Sequence, residues 1–176
     1  AGENQNLSSL RTNLLMPMSG FYKEGALMFR LQGKMSQEEF LHEFDALFGY
    51  GQCRQYNFVH LPWDTLAVVN FSSIEACVQC YSQSLQLMRM RRCCIKGVRA
   101  AEVHGLRNHL TDFFSRSQRK TGSTPSKRCP CVFDRGNLIP FSQARAWLLR
   151  QGAEEPSRAA DALHALPAGL KLSIYL

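Results

Sequence analysis

Tyr56, Phe58, His60 and Trp63 place four flat rings within one short stretch of chain. Rings at alternate positions of an extended backbone are what proteins use to stack nucleobases, each stack contributing about 1–3 kcal/mol by alanine substitution. In a regular strand Tyr56, Phe58 and His60 point one way, and Asn57, Val59 and Leu61 the other; the pattern leaves open which set is buried, and core packing is the alternative role for Tyr56 and Phe58. Further along, residues 89–128 hold eleven Lys/Arg against Glu102 and Asp112, a net of +9, while the remainder carries 10 basic and 12 acidic residues, a net of −2. Positive charge gathered into one segment is the footprint of a polyanion binder. Within it Arg116, Arg119 and Lys120 are candidate phosphate contacts.

Other chemistry finds less support. Cys77 and Cys80 lie three apart on a predicted helix, a spacing that suits the core. Cys93-Cys94 and Cys129-Pro130-Cys131 lack the paired spacing of a zinc site, and the five His add no ligand cluster. Cys53, His60 and Asp64 are neighbours in sequence without the arrangement of a nucleophile and its base, and there is no Gly-rich phosphate cradle. The expectation is therefore a protein that is not an enzyme, with no metal and no cofactor. An odd count of seven Cys without a secretory signal fits a reducing, intracellular setting, in nucleus or cytoplasm. No apolar run approaches the roughly 18 residues of a membrane span, so no membrane partner is expected. The chain does not open on Met, as expected of a fragment or a processed chain.

The elements that would position the rings follow from periodicity. Ala26–Leu31 reads as a strand that Gly33 breaks. Ser36 and Glu39 form a capping box ahead of Phe40, Phe44, Leu47 and Phe48 at helical spacing, with Gly49 as the stop. Strands are predicted over 56–61 and 66–71, joined by a tight connection after Pro62. Ser72 and Glu75 repeat the capping pattern before a second helix carrying Ala76, Cys77, Cys80, Tyr81 and Leu85. Val98–Val103 fits the last strand, with Cys93–Ile95 a short strand before it. The order strand, helix, strand, strand, helix, strand is α+β, a ferredoxin-like split βαβ arrangement. It implies a four-stranded antiparallel sheet with two helices on one face. Residues 1–24 read as a flexible arm, 25–115 as the domain, 116–130 as a basic Ser/Pro-rich linker and 131–176 as a small extension. That extension should hold a hairpin turning at Gly136-Asn137, a short helix capped by Ser142 with Ala144, Trp147 and Leu148 on one side, and a strand over 170–176.

In this order the chain resembles the RNA-recognition motif of the Mei-two-like type. The resemblance rests on Leu27-Met28-Phe29-Arg30, Lys34–Leu41, Tyr56–Asp64, Val68-Val69-Asn70-Phe71 and Ala101–Leu106, with Phe133–Asn137 and Ile139-Pro140-Phe141 similar to a tail that follows the domain in some relatives. It implies single-stranded RNA held across the sheet. The family's stacking aromatics fall on Met28, Leu66 and Val68, and the loop before the third strand shrinks to Trp63-Asp64-Thr65. Alternation leaves Leu66 and Val68 on the outer face, because Ala67, Val69 and Phe71 must fill the core. Tyr56, Phe58, His60 and Trp63 are the aromatic candidates to replace the lost stacks where they lie on the open face, and Arg30 and Arg99 the candidates to contact phosphate or stack on a base. The alternative is a protein-interaction domain whose apolar sheet face is covered by a protein partner or by the C-terminal helix.

Overall fold

A computed structural model describes residues 23–91, 93–119 and 129–154. The first six elements are β1 (Gly25–Leu31), α1 (Gln37–Phe48), β2 (Tyr56–Trp63), β3 (Leu66–Phe71), α2 (Ile74–Arg89) and β4 (Ile95–Ala100). Then come α3 (Leu106–Arg119), β5 (Cys131–Asp134), β6 (Asn137–Ile139) and α4 (Phe141–Glu154). Residues 1–22 of the arm read over 1–24, and the strand read over 170–176, fall outside the described residues.

Local sequence explains where α1 begins and ends. The Ser36 hydroxyl accepts from the Glu39 N–H at 3.1 Å, and the Glu39 carboxylate accepts from the Ser36 N–H at 2.7 Å. Gly49 closes the helix in the left-handed region, at φ 70°, where a side chain is disfavoured. In α2 the cap is Ser73 rather than Ser72, its hydroxyl accepting from the Ala76 N–H at 3.2 Å. Phe40 and Phe44 of α1, and Ala76, Cys77 and Cys80 of α2, are buried against one face of the sheet. That face presents Leu27, Phe29, Leu31, Val59, Leu61, Ala67, Val69 and Phe71, all in the same core. Phe29 meets Phe44 edge-on at 5.3 Å between ring centroids.

The sheet is antiparallel, but it has six strands in the order β4-β1-β3-β2-β5-β6, not the four expected. The added pair is the 131–139 hairpin, which joins the edge of β2 through Phe58↔Val132 and Val59↔Cys131. It turns at Arg135-Gly136 (φ 48° and 83°), one residue before the expected position, with the mirror-image twist that hairpins favour. Arg54 fastens the hairpin to the domain. It donates to Asp45 at 2.9 Å and to the Gly136 carbonyl at 3.0 Å, with its guanidinium over the Phe133 ring. Tyr56 completes the tie, donating to Asp45 at 2.6 Å. Burial, with Asp45 adding to it, pushes its phenol pKa far up.

Two further corrections concern the sheet's faces. The register of β2 slips between Tyr56 and Phe58, so that Asn57 is an extra residue. This bulge turns Tyr56 into the core with Val59, leaving Phe58 and His60 on the opposite side; simple alternation had put all three together. Helices also occupy both faces rather than one. Leu110 of α3 and Ala144 of α4 enclose Phe58 and Val132 in a second, smaller core, joined by half-buried Phe114, Phe141 and Trp147. α3 runs to Arg119, into the segment read as linker. No helix among the described residues is long and apolar enough to cross a membrane.

Candidate nucleic-acid interface

The pairing of β4, β1, β3 and β2 sorts the candidate residues into two cross-strand rows. One row runs Arg99, Met28, Val68, His60, through the pairs Met28↔Arg99, Met28↔Val68 and His60↔Val68. The next runs Gly97, Arg30, Leu66, Trp63, through Arg30↔Gly97, Arg30↔Leu66 and Trp63↔Leu66. Directly opposed side chains in such rows are about 4.5–5.5 Å apart at Cβ, within the span of a stacked base. Arg30 and Arg99 are exposed, Met28, Leu66 and Val68 half-buried. The Arg99 guanidinium donates to the Met28 sulfur at 3.2 Å, which lays the cation along the apolar floor. Trp63 stands 65% exposed at the end of its row. It shares a recess with Arg30, Leu66 and Lys96, a residue that the sequence alone did not single out.

The first row ends differently. Phe58 is 2% exposed and stacks on His109 of α3 at 4.7 Å and 18° between planes. His60 is half-buried and meets Phe113 of α3 edge-on at 5.4 Å. The two aromatics that looked most like base platforms are therefore already paired with rings from this chain. A base stack contributes about 1–3 kcal/mol. Burying each of Phe58, Leu110 and Val132 contributes about 1.5–3 kcal/mol. A single base cannot outcompete that sum, so α3 stays on the sheet and the open strip is confined to β4, β1, β3 and the end of β2.

A polar network pins the start of α3. The Glu24 carboxylate accepts from the Leu106 N–H at 2.7 Å and from Asn70 Nδ2 at 2.8 Å. Asn70, fully buried, also donates to Asn57 Oδ1 at 2.8 Å and accepts from the Gly105 N–H at 2.9 Å. An acidic group at a helix N-terminus satisfies free donors and the helix dipole together. His104 Nδ1 accepts from the Ala26 N–H at 3.0 Å, so the ring must be neutral at that nitrogen. Burial depresses the pKa of His104 and brings that of His109 down to about 4, where His104 nearby adds to the effect. Among the described residues nothing bonds the buried His109 Nε2.

No protein-family model, curated protein or solved structure matches the chain.

Among the described residues the basic segment is spread over several elements rather than gathered on one patch. Lys96 and Arg99 are exposed on β4, Arg89 lies at the end of α2, and Arg116 is exposed on α3, where it pairs with Asp112 at 2.9 Å. Lys120 and the residues to Arg128 lie outside the described residues, as does the side chain of Arg119. Sequence reasoning missed α3 itself. Its signal was Leu106, Leu110, Phe113 and Phe114 at helical spacing, overshadowed by the polar residues between them.

Proposed function

We propose that the domain binds single-stranded RNA along the open strip, as a divergent RNA-recognition motif of the Mei-two-like type. The observation that carries this reading is the strip itself: a floor of Met28, Leu66 and Val68, flanked by exposed Arg30 and Arg99, with Trp63 at its end. Such a strip offers one ring to stack, apolar contact for a second base, and cations spaced to meet phosphates. The β4-β1-β3-β2 order within the larger sheet supports the split βαβ arrangement behind the resemblance. With one exposed aromatic in place of three, binding is weak, sequence-tolerant and strongly dependent on salt. The domain has no catalytic role in this reading.

The rival use, as a protein-interaction domain, draws on the same apolar floor and on the burial of Phe58 beneath α3. Fluorescence anisotropy with a random single-stranded RNA pool across a salt series separates the two. Arg30→Gln with Arg99→Gln removes two phosphate contacts and flattens the slope of log K against log salt by about 1.4. Leu66→Asp with Val68→Asp, folded by circular dichroism, weakens binding at least about tenfold, since a carboxylate repels phosphate and removes the floor. Unchanged affinity and slope in both variants contradict the strip and favour the protein partner.

A further inference from the structure

A cleft of about 690 Å³ opens at the end of the sheet away from Trp63, between the β5–β6 hairpin and the starts of α2, α3 and α4. Asn57 and Trp63 are six residues apart on β2, roughly 20 Å of extended chain. The cleft is therefore separate from the strip, and it stands or falls on its own. Its volume lies in the range of small-molecule sites.

Its walls carry a particular chemistry. Leu106 and Leu110 give the cleft an apolar lining, and half-buried Trp147 adds a ring to it. Arg135 and Arg150 are exposed on the rim beside one carboxylate, Asp134. Arg54, also in the wall, is committed to Asp45 at 2.9 Å and adds no spare cation.

Asn57 is the informative residue, because its amide orientation is dictated from outside. The Gly105 N–H requires an oxygen, so Asn70 turns Oδ1 toward it. Asn70 Nδ2 then donates to Asn57 Oδ1. Asn57, which lines the cleft, is thereby left with Nδ2 as its free donor, and no described residue accepts from it. The residue is 9% exposed, a placement that a polar side chain holds when its hydrogen bonds are met.

The geometry points to a nucleotide as the ligand: a base against Trp147 with an acceptor on its edge facing Asn57 Nδ2, and the phosphate between Arg135 and Arg150. A bare anion uses neither the ring nor the apolar lining. A purely apolar ligand leaves the Asn57 donor and both guanidiniums unanswered. Guanidinium forks match phosphate oxygens in pairs, and a Trp face accepts any base. The nucleotide is either free or one unit of an RNA strand.

The chain has two Trp, one at each site, so single-tryptophan variants report them separately. Trp63→Phe leaves Trp147 alone, and its emission is followed against AMP, CMP, inorganic phosphate and a short single-stranded RNA. A saturable fall with AMP or CMP is expected, with inorganic phosphate much weaker. Arg135→Glu with Arg150→Glu, both surface positions, raises half-saturation at least about tenfold, and Gln143→Ala changes it less. If RNA also quenches Trp147 and displaces AMP, the nucleotide belongs to a strand; if AMP binds undisturbed beside RNA, it is a free nucleotide. No saturable change with any nucleotide or RNA, or a change that survives the double charge reversal, overturns the proposal. The companion Trp147→Phe protein reports the strip through Trp63, so failure at one site leaves the other readable.

Discussion

At the scale of single residues, His109 shows most clearly how this sheet face is committed. Its ring lies on Phe58 at 4.7 Å, and burial, with His104 beside it, holds its pKa near 4 against Asp112, which pulls the other way. A folded pKa below the unfolded value near 6.5 gives stability that is whole above that value and lost as pH falls toward the folded one. By about pH 5 the loss is about 2 kcal/mol. His104 faces the same window, since protonation at Nδ1 breaks its bond to the Ala26 N–H. Urea midpoints at about pH 7.5 and pH 5 should fall steeply in the wild type and less in His109→Phe, which keeps a ring on Phe58. Equal losses in the two proteins contradict a neutral, buried His109. Phe58 and His60 were legible in the sequence as rings suited to bases, but their burial was not. It depends on the bulge at Asn57 and on a helix some fifty residues downstream, neither of which alternation reveals.

At the scale of elements, what the sequence disclosed was what local chemistry decides. Ser36, Glu39 and Gly49 bound α1 because capping needs only neighbours in the chain. Ala67, Val69 and Phe71 are fully buried, and Leu66 and Val68 half-buried, because a strand's period is two. β4 begins at Ile95 rather than Val98, and α4 at Phe141, one residue ahead of the expected cap Ser142. The hairpin and the helix after it were expected, but the hairpin's joining to the sheet and α3 were missed because both depend on distant contacts, Arg54 to Gly136 and Glu24 to Leu106 among them. α3 has a testable consequence of its own. Leu110→Asp places an unpaired carboxylate in the second core, a change costly enough to detach the helix. Phe58 and His60 are then uncovered, and RNA affinity should rise by about fivefold or more per ring gained, while thermal stability drops. Anisotropy and amide exchange in α3 read the two effects. Lower affinity with an exchanging α3 shows that the helix supports the strip rather than limiting it.

At the scale of the whole molecule, one sheet separates two packed layers of unequal extent. α1 and α2 cover one face. Among the described residues α3 and α4 cover only the β2 and β5 side of the other, leaving β4, β1 and β3 as the outward strip. From the basic segment, Lys96 and Arg99 on β4 border that strip. In the proposed function, a single-stranded RNA lies along these uncovered strands. An amide NMR titration of the labelled protein with a short single-stranded RNA tests that most directly. The account predicts shifts at Met28, Arg30, Leu66, Val68 and Arg99 and at the Trp63 indole N–H, with α1 and α2 unmoved. Shifts confined to the helical layers, or none at all with RNA in excess, would contradict it.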